Sequence, residues 1–306
     1  MNRVAVLLTC FNRKKFTLKC LKHLYVSYHE SVNIFQMDVY LTDDGSTDGT
    51  WDAVSSQFPQ VNLLKGNGSL FWTGGMRNSW KKALELRYDC YFLLNDDTFL
   101  YSNLFNEMFL GYTYSKDAFG ENGILVGSTK DNKSLEITYG GSTVINNFKG
   151  TYHKITPDNT YQSCELGNAN IMFVHSDVVS KIGILSEQYC HGFADFDYTL
   201  RAIEKKIHVL ILPNYLGECK GVEIDKNIIF LNKKTITERF VYLNSPIGLA
   251  FSDTLKFQKR FYPKRYLLVF LTGYFKIFFP KIYILLNNKL RLILLIFNCW
   301  SCYKYV

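Results

Sequence analysis

At 306 residues, 47% hydrophobic and 20% charged, the chain is long enough to bury one large core or two small ones and too apolar to be disordered. Its formal charge of +8 is unevenly spread: ten of the 35 Lys and Arg and no acidic residue lie between Thr254 and Val306, which leaves residues 1–253 with 25 basic against 27 acidic groups. That excludes a nucleic-acid-binding body and points the basic tail at an anionic partner such as lipid headgroups. Eight cysteines with a single C-x-x-C pair (Cys299 and Cys302) and no second one to complete a four-ligand set indicate neither a zinc site nor a disulfide framework, and a reduced, cytoplasmic setting is expected. The apolar run Val4–Leu8 is too short for a signal peptide.

Arg3 to Thr9 reads as a buried strand ending in Thr9-Cys10-Phe11-Asn12-Arg13. A helix from about Lys14 to Tyr28 follows, with Phe16, Cys20, Leu21 and Leu24 on one face. Asp38 to Thr42 is a second strand, ending in Asp43-Asp44-Gly45-Ser46-Thr47-Asp48-Gly49. A helix from Thr50 to Gln57 stops before Pro59, and Val61 to Leu64 forms a third strand. A glycine-bearing loop, Gly66 to Gly75, precedes a helix from about Met76 to Arg87. Tyr91-Phe92-Leu93-Leu94 is a fourth strand, broken off by Asn95-Asp96-Asp97-Thr98. This alternation predicts a doubly wound, mostly parallel sheet with right-handed crossovers.

Beyond Gly120 short strands (Ile124–Gly127, Glu136–Tyr139, Ser142–Ile145) suggest a meander beside that sheet. Asn168 to His175 is a further strand and Ser176 to Ile182 a short helix. His191 to Asp197 leads into a helix through Glu204, and Ile207 to Leu212 is a late strand ending at Pro213. The division expected is a domain over 1–253 and a basic, aromatic-rich helical tail over 254–306. In that tail the uncharged stretches, Tyr266–Phe275 and Leu292–Tyr303 the longest among them, are well short of the roughly twenty residues a spanning helix needs. Lys276, Lys281, Lys289 and Arg291 interrupt the apolar residues, as in a helix lying in the membrane interface.

Four stretches carry chemistry. Asp43 to Gly49 fails as an EF-hand, because the bidentate Glu position is Ser55; it is an Asp-rich turn at the end of the second strand. Gly66-Asn67-Gly68 with Trp72-Thr73-Gly74-Gly75-Met76-Arg77 matches neither a Walker loop nor a dinucleotide fingerprint, yet glycines before a helix let backbone amides approach phosphates. Asp96 and Asp97 suit either a helix cap or a hard divalent cation on a phosphate-bearing substrate. Asp195 and Asp197, at a helix start, suit either caps or a general base.

Taken together, Val4 to Arg13, Asp43-Asp44-Gly45-Ser46, Asn95-Asp96-Asp97 and Asp195 with Arg201 resemble the inverting family 2 glycosyltransferases of GT-A fold, above all the bacterial enzymes that build O-antigen and capsule sugars. The likeness runs over Arg3 to Pro213. It implies that Thr9, Phe11, Asn12, Arg13, Asp43, Asp44, Gly68, Trp72, Gly74, Gly75, Arg77, Asn95 and Asp96 hold a nucleotide-sugar donor, a UDP- or dTDP-sugar. It implies that Asp97 holds a divalent cation (Mn²⁺ or Mg²⁺), and that Asp195 is the base that deprotonates a hydroxyl of a glycan or lipid-linked acceptor. Three positions depart from the family pattern: Asn95 at the first D-x-D position, Ala194 where a Glu precedes the base, and Cys219 where many members carry a metal-ligating His. A nucleotidyltransferase would need a basic, glycine-rich N-terminal signature that Thr9–Arg13 lacks. A membrane-spanning polysaccharide synthase is disfavoured by the short apolar runs. The non-enzyme alternative is an inactive nucleotide-sugar-binding or scaffold protein.

Overall fold

The computed structural model describes residues 1–146, 150–221 and 232–286. It divides into two compact units, the first made of Met1–Ser142, Lys154–Cys190 and Ala194–Gly221, the second of Thr143–His153, His191–Phe193 and Val222–Val306.

The first unit is built on β1 (Arg3–Cys10), buried at every position from Val4 to Cys10. A strand covered on both faces has no polar side to offer, which is why its sequence is a continuous apolar run rather than an alternation. It pairs in parallel with β2 (Gln36–Asp43) on one side and β4 (Cys90–Leu94) on the other, and β3 (Asn62–Lys65) extends the sheet beyond β2. Crossovers are made by α1 (Lys14–His29), α2 (Thr50–Gln57) and α3 (Phe71–Ala83). Past β4 the sheet continues through β11 (Ile171–His175), antiparallel to both neighbours, then β6 (Ile124–Lys130), β12 (Val209–Glu218) and the short edge strand β5 (Phe99–Leu100). The result is the expected α/β sheet, largely parallel, with β6 inside the sheet rather than beside it.

Several elements differ from expectation for identifiable reasons. On α1 the buried residues are Thr17, Cys20, Leu21, Leu24 and Ser27, while Phe16 is 49% exposed and stacks on Phe99. Helix α4 (Leu104–Phe119) has no counterpart in the sequence reading, because exposed apolar residues such as Leu110 and Phe119 blur its period; Leu104, Phe105, Met108, Gly111, Tyr112 and Ser115 face inward. Gly111 lets it approach β12, since a Cβ there would lie 2.6 Å from Leu212 Cδ2. The strand expected at Glu136–Tyr139 is a single bridge, Ile137 to Lys130, because Asp131 closes a tight turn by accepting the Lys133 and Ser134 amides. Of the run Asn168–His175 only β11 is strand; Asn168–Asn170 are connecting chain between it and the short β10 (Leu166–Gly167). β12 runs through Pro213 by means of a register shift between Ile211 and Tyr215. Smaller pieces complete this unit: β9 (Gln162–Ser163) on β12, the pairing of β10 with the start of β7 (Gly141–Asn146), α5 (Ser176–Ile182) and α6 (Ala194–Glu204).

The second unit contains β8 (Thr151–Lys154), paired with β7, and the helices α7 (Ile236–Asn244), α8 (Phe251–Phe261) and α9 (Pro263–Phe278). Thr235 and Glu238 form a reciprocal capping box at the start of α7. Leu243, Phe251 and Ile277 form the core of the three helices, and Gly273 admits the Phe251 ring, which a Cβ would meet at 2.3 Å. The division expected at 253/254 falls inside α8. On α9 and the turn of helix after it, Leu267, Leu268, Leu271, Phe278, Phe279, Ile282, Leu285 and Leu286 are exposed. Among the described residues no single helix is long and apolar enough to cross a membrane; Pro263–Phe278 and Pro280–Leu286 would qualify only as a pair, and that pair is bent by 120°. Lys289, Arg291 and the rest of residues 287–306 lie outside the described residues.

Candidate functional site

Because β1, β2 and β4 are parallel, with Cys10 beside Asp43 and Leu7 beside Leu93, the chain leaves all three at one edge of the sheet. Open α/β sheets bind ligands at such an edge. Asn12, at φ +52°, ties the loops after β1 and β2 together: its Oδ1 accepts the Thr47 N–H at 2.7 Å and its own N–H donates to Ser46 Oγ at 2.8 Å. Asp48 accepts from the Lys14 N–H (2.9 Å) and the Thr50 N–H (3.0 Å), so one carboxylate serves the starts of both α1 and α2. Phe11, by contrast, is half exposed.

The two acids that sequence left interchangeable have different surroundings. Asp44 is buried and spends both oxygens on the next loop, Oδ1 on the Gly68 N–H (2.9 Å) and Oδ2 on the Phe71 N–H (3.0 Å). Gly66 makes that approach possible, since a Cβ would fall 2.4 Å from Asp44 Oδ1. Asp43, also buried, accepts the Ser46 N–H through Oδ1 at 2.8 Å, and its Oδ2 has no hydrogen bond among the described residues. Asp43 is therefore the acid with an oxygen to offer a ligand.

Helix α3 begins at Phe71, five residues before the expected Met76, so Trp72, Gly74 and Gly75 belong to its first turns and not to a loop. Gly75 sits against Thr9, whose Oγ1 would be 2.0 Å from an added Cβ, and Thr9 itself is buried and donates to the Thr42 carbonyl at 3.2 Å. Gly74 donates its N–H to the Leu70 carbonyl at 3.0 Å. Gly75 and Thr9 set the packing of α3 on β1. Arg77, expected beside phosphate, donates to the carbonyls of Ser186 (2.7 Å) and Tyr189 (3.0 Å), fixing the loop that runs toward Asp195.

At the end of β4 the Trp72 indole N–H donates to Asn95 Oδ1 at 2.7 Å. Arg13 spans the two acids beyond, Nη2 to Asp97 Oδ2 at 2.6 Å and Nη1 to Asp96 Oδ1 at 3.4 Å. Asp96 is buried; burial first, with the like charge of Asp97, pushes its carboxyl up to about 7 against the pull of Arg13 and of the Thr17 hydroxyl, which donates to Oδ2 at 3.1 Å. The Cys219 thiol, pushed up to about 12 by burial and by Asp97, keeps its proton and points it at Asp97 Oδ1, 3.7 Å away. Among the described residues no group of three or more His, Cys, Asp or Glu gathers as a cation site. What remains is the partly exposed Asp97 carboxylate. That fits Mg²⁺ or Mn²⁺ when phosphate oxygens complete the shell, the arrangement common where these ions serve phosphate substrates.

Asp195 and Asp197 also separate. Asp197 is fully buried and paired with Arg201 at 2.7 Å, whose other nitrogens hold the Ile182 and Ile184 carbonyls; this acid is structural. Asp195 is partly buried, its Oδ2 accepting the Ala169 N–H (3.3 Å) and the Asn168 amide (3.4 Å), and burial holds its carboxyl above the ordinary range. The next residue, Asn170, accepts the Asn95 N–H on its carbonyl at 3.3 Å and donates its amide to Thr98 and Cys219. The segment Asn168–Asn170 thus links the candidate base to the acidic triplet. Sequence reasoning missed Asn168, Asn170 and Thr17; their signal was polar residues interrupting apolar patterns. In the second unit Phe193, at φ +64°, stacks on Phe257 with ring centroids 4.8 Å apart.

No protein-family model matches the chain, and no curated protein matches it. Solved structures do. The mannosyltransferase PcManGT from Pyrobaculum calidifontis, in complex with GDP-Man and Mn²⁺, superposes with a TM-score of 0.51 at 11% identity, covering 89% of this chain and 69% of that one. Staphylococcus aureus TarS 1–349 in complex with UDP gives 0.50 at 14% identity over 83% of this chain and 69% of that one. At such identities the likeness shows the fold: the chain has the α/β fold of a glycosyltransferase.

Proposed function

We propose that the chain is an inverting glycosyltransferase that moves a sugar from a UDP- or dTDP-sugar to a hydroxyl of a glycan or lipid-linked acceptor in the building of bacterial surface polysaccharide. The observation that carries the reading is the connection through Asn168–Asn170, which joins a carboxylate with a raised proton affinity to a phosphate-type acidic triplet on one sheet edge. Acid–base groups tuned by burial beside a ligand-binding edge are the pattern of active sites.

In the mechanism this supports, Asp195 takes the acceptor hydroxyl's proton while that oxygen forms its bond to the anomeric carbon. The bond from that carbon to the diphosphate oxygen breaks on the opposite face, and one displacement inverts the configuration. The Asn168 amide and Ala169 N–H aim the Asp195 carboxylate. Asp43 Oδ2 is the oxygen available to the nucleotide base, while Asp44 shapes the loop that borders it. Asp97 would hold a Mg²⁺ or Mn²⁺ shared with the diphosphate, and such a cation supplies positive charge for the leaving group. The exposed apolar face of α9 with its Lys neighbours supports peripheral binding to anionic lipid at the inner face of the cell membrane, where a lipid-linked acceptor would be met.

A second reading, an inactive nucleotide-sugar-binding protein, is favoured by Ala194 and by Asn95, whose side-chain oxygen is already taken by Trp72. The deciding experiment screens UDP-, dTDP- and GDP-sugars for a rise in melting temperature and for release of nucleoside diphosphate, with wild type and Asp195→Asn. Binding with turnover lost in the variant is the expected result; binding without turnover in wild type would favour the second reading.

A further inference from the structure

Both oxygens of Asp97 are already engaged: Oδ2 by the Arg13 guanidinium at 2.6 Å and Oδ1 by the Cys219 thiol. Arg13 also reaches Asp96 Oδ1, so a cationic side chain of the protein lies on the carboxylates that would receive a divalent ion. It is not locked there. Arg13 stands at the N-cap of α1, before the first helical residue, and its side chain is 39% exposed.

We infer that Arg13 is a positioning residue that blocks Asp97 in the free enzyme and makes the cation and the diphosphate bind together. The inference rests on the nucleotide-sugar reading above. An ion arriving alone must displace a charge-assisted bond and bring two positive charges next to a third. A diphosphate offers the guanidinium two or more oxygens in the planar, forked geometry that it matches best. Once Arg13 turns to the phosphate, Asp97 is released, and the ion can take one carboxylate together with phosphate oxygens. Each ligand then raises the affinity of the other by the same factor.

The test uses the full chain with Mn²⁺ and either UDP or dTDP as probes. Free Mn²⁺ is read by its electron paramagnetic resonance signal, and nucleotide binding by calorimetry. For wild type, Mn²⁺ affinity should rise at least about tenfold when a nucleoside diphosphate saturates the protein, and nucleotide affinity should rise equally with Mn²⁺. Arg13→Gln should bind Mn²⁺ without nucleotide about tenfold more tightly than wild type and show weaker coupling, by loss of a charge opposing the ion. Arg13→Lys, which keeps the charge without the fork, should restore the low affinity for Mn²⁺ alone. Equal Mn²⁺ affinity with and without a bound nucleotide, or no gain in Arg13→Gln, overturns the inference while leaving the transferase reading intact. Failure of both nucleotides to bind, with or without Mn²⁺, overturns that reading and the coupling with it.

Discussion

Trp72, in the first turn of α3, donates its indole N–H to Asn95 Oδ1 at 2.7 Å, so the one residue that breaks the D-x-D pattern is the residue that anchors the neighbouring helix. A carboxylate at 95 could accept the same bond, but it would place a third negative charge beside Asp96 and Asp97. Asn95 accepts from the indole without adding to that repulsion.

Trp72→Phe keeps the aromatic body and deletes the donor. Loss of one partly buried hydrogen bond should lower stability by about 1 kcal/mol. It should also weaken nucleotide binding several-fold, as the start of α3 and Asn95 lose their tie. Thermal unfolding and calorimetry with UDP check the two effects separately.

Asp43 and Asp44 should respond in opposite ways. Asp44→Ala removes an acceptor from two backbone amides and leaves the Gly68–Phe71 loop untethered. A loss of about 2–4 kcal/mol in urea unfolding is expected, given the strength of bonds to a charged group. Asp43→Ala removes a single amide contact and should cost less stability but most of the affinity for the nucleotide.

That contrast marks how far the sequence could be read. The strand–helix alternation and the gathering of Asn12, Asp43 and Asn95 at one edge follow from period and order, because each strand end is marked by an abrupt change from apolar to polar residues, whereas Asp195, at the start of α6, was singled out by the family resemblance. The division of labour within each pair was not legible. Asp43 against Asp44, and Asp195 against Asp197, differ only by which partner the fold brings to them: Gly68, Phe71 and Arg201 lie 24, 27 and 4 residues away. Arg77 was legible as a cation near a helix start, yet its direction depended on carbonyls of Ser186 and Tyr189 more than a hundred residues on. Helix α4 was hidden because apolar residues on its outer face, such as Leu110 and Phe119, blur the period.

The apolar face of α9 gives a prediction about lipid. Replacing Leu267, Leu268 and Leu271 together by Ser removes three exposed aliphatic side chains and leaves the buried Gly273 and Ile277 in place. Sedimentation with anionic vesicles should fall at least about tenfold, since each such side chain contributes on the order of 1 kcal/mol or more when buried in the interface. Raising the salt from about 0.1 to 1 M should weaken wild-type binding as well, by screening the Lys contribution. Unchanged sedimentation of the triple variant would remove the membrane proposal and leave the fold and the site untouched.

The sharpest prediction concerns Asp195. Its carboxyl is raised by burial, which disfavours the charged form, while the Phe196 and Ala169 amides and the Asn168 side chain oppose that shift without cancelling it. A base works only when deprotonated, so kcat/KM should be level at high pH and fall as pH drops through the raised value, with an acid limb centred above the usual carboxylate range near 4. Folding is linked to the same proton with the opposite preference. A group whose folded-state affinity for a proton exceeds its unfolded one takes up a proton on folding at pH values between the two, so this group's contribution to stability falls as pH rises through that window. Asp195→Asn should abolish the acid limb and lower turnover by about 10²–10⁴-fold, with nucleotide binding retained, because the variant keeps the shape and loses the base. Measuring kcat/KM against pH for both proteins, with the nucleotide dissociation constant at each pH, separates this from a general loss of structure: a wild-type limb at the ordinary carboxylate value, or a variant that keeps full turnover, would place the base elsewhere.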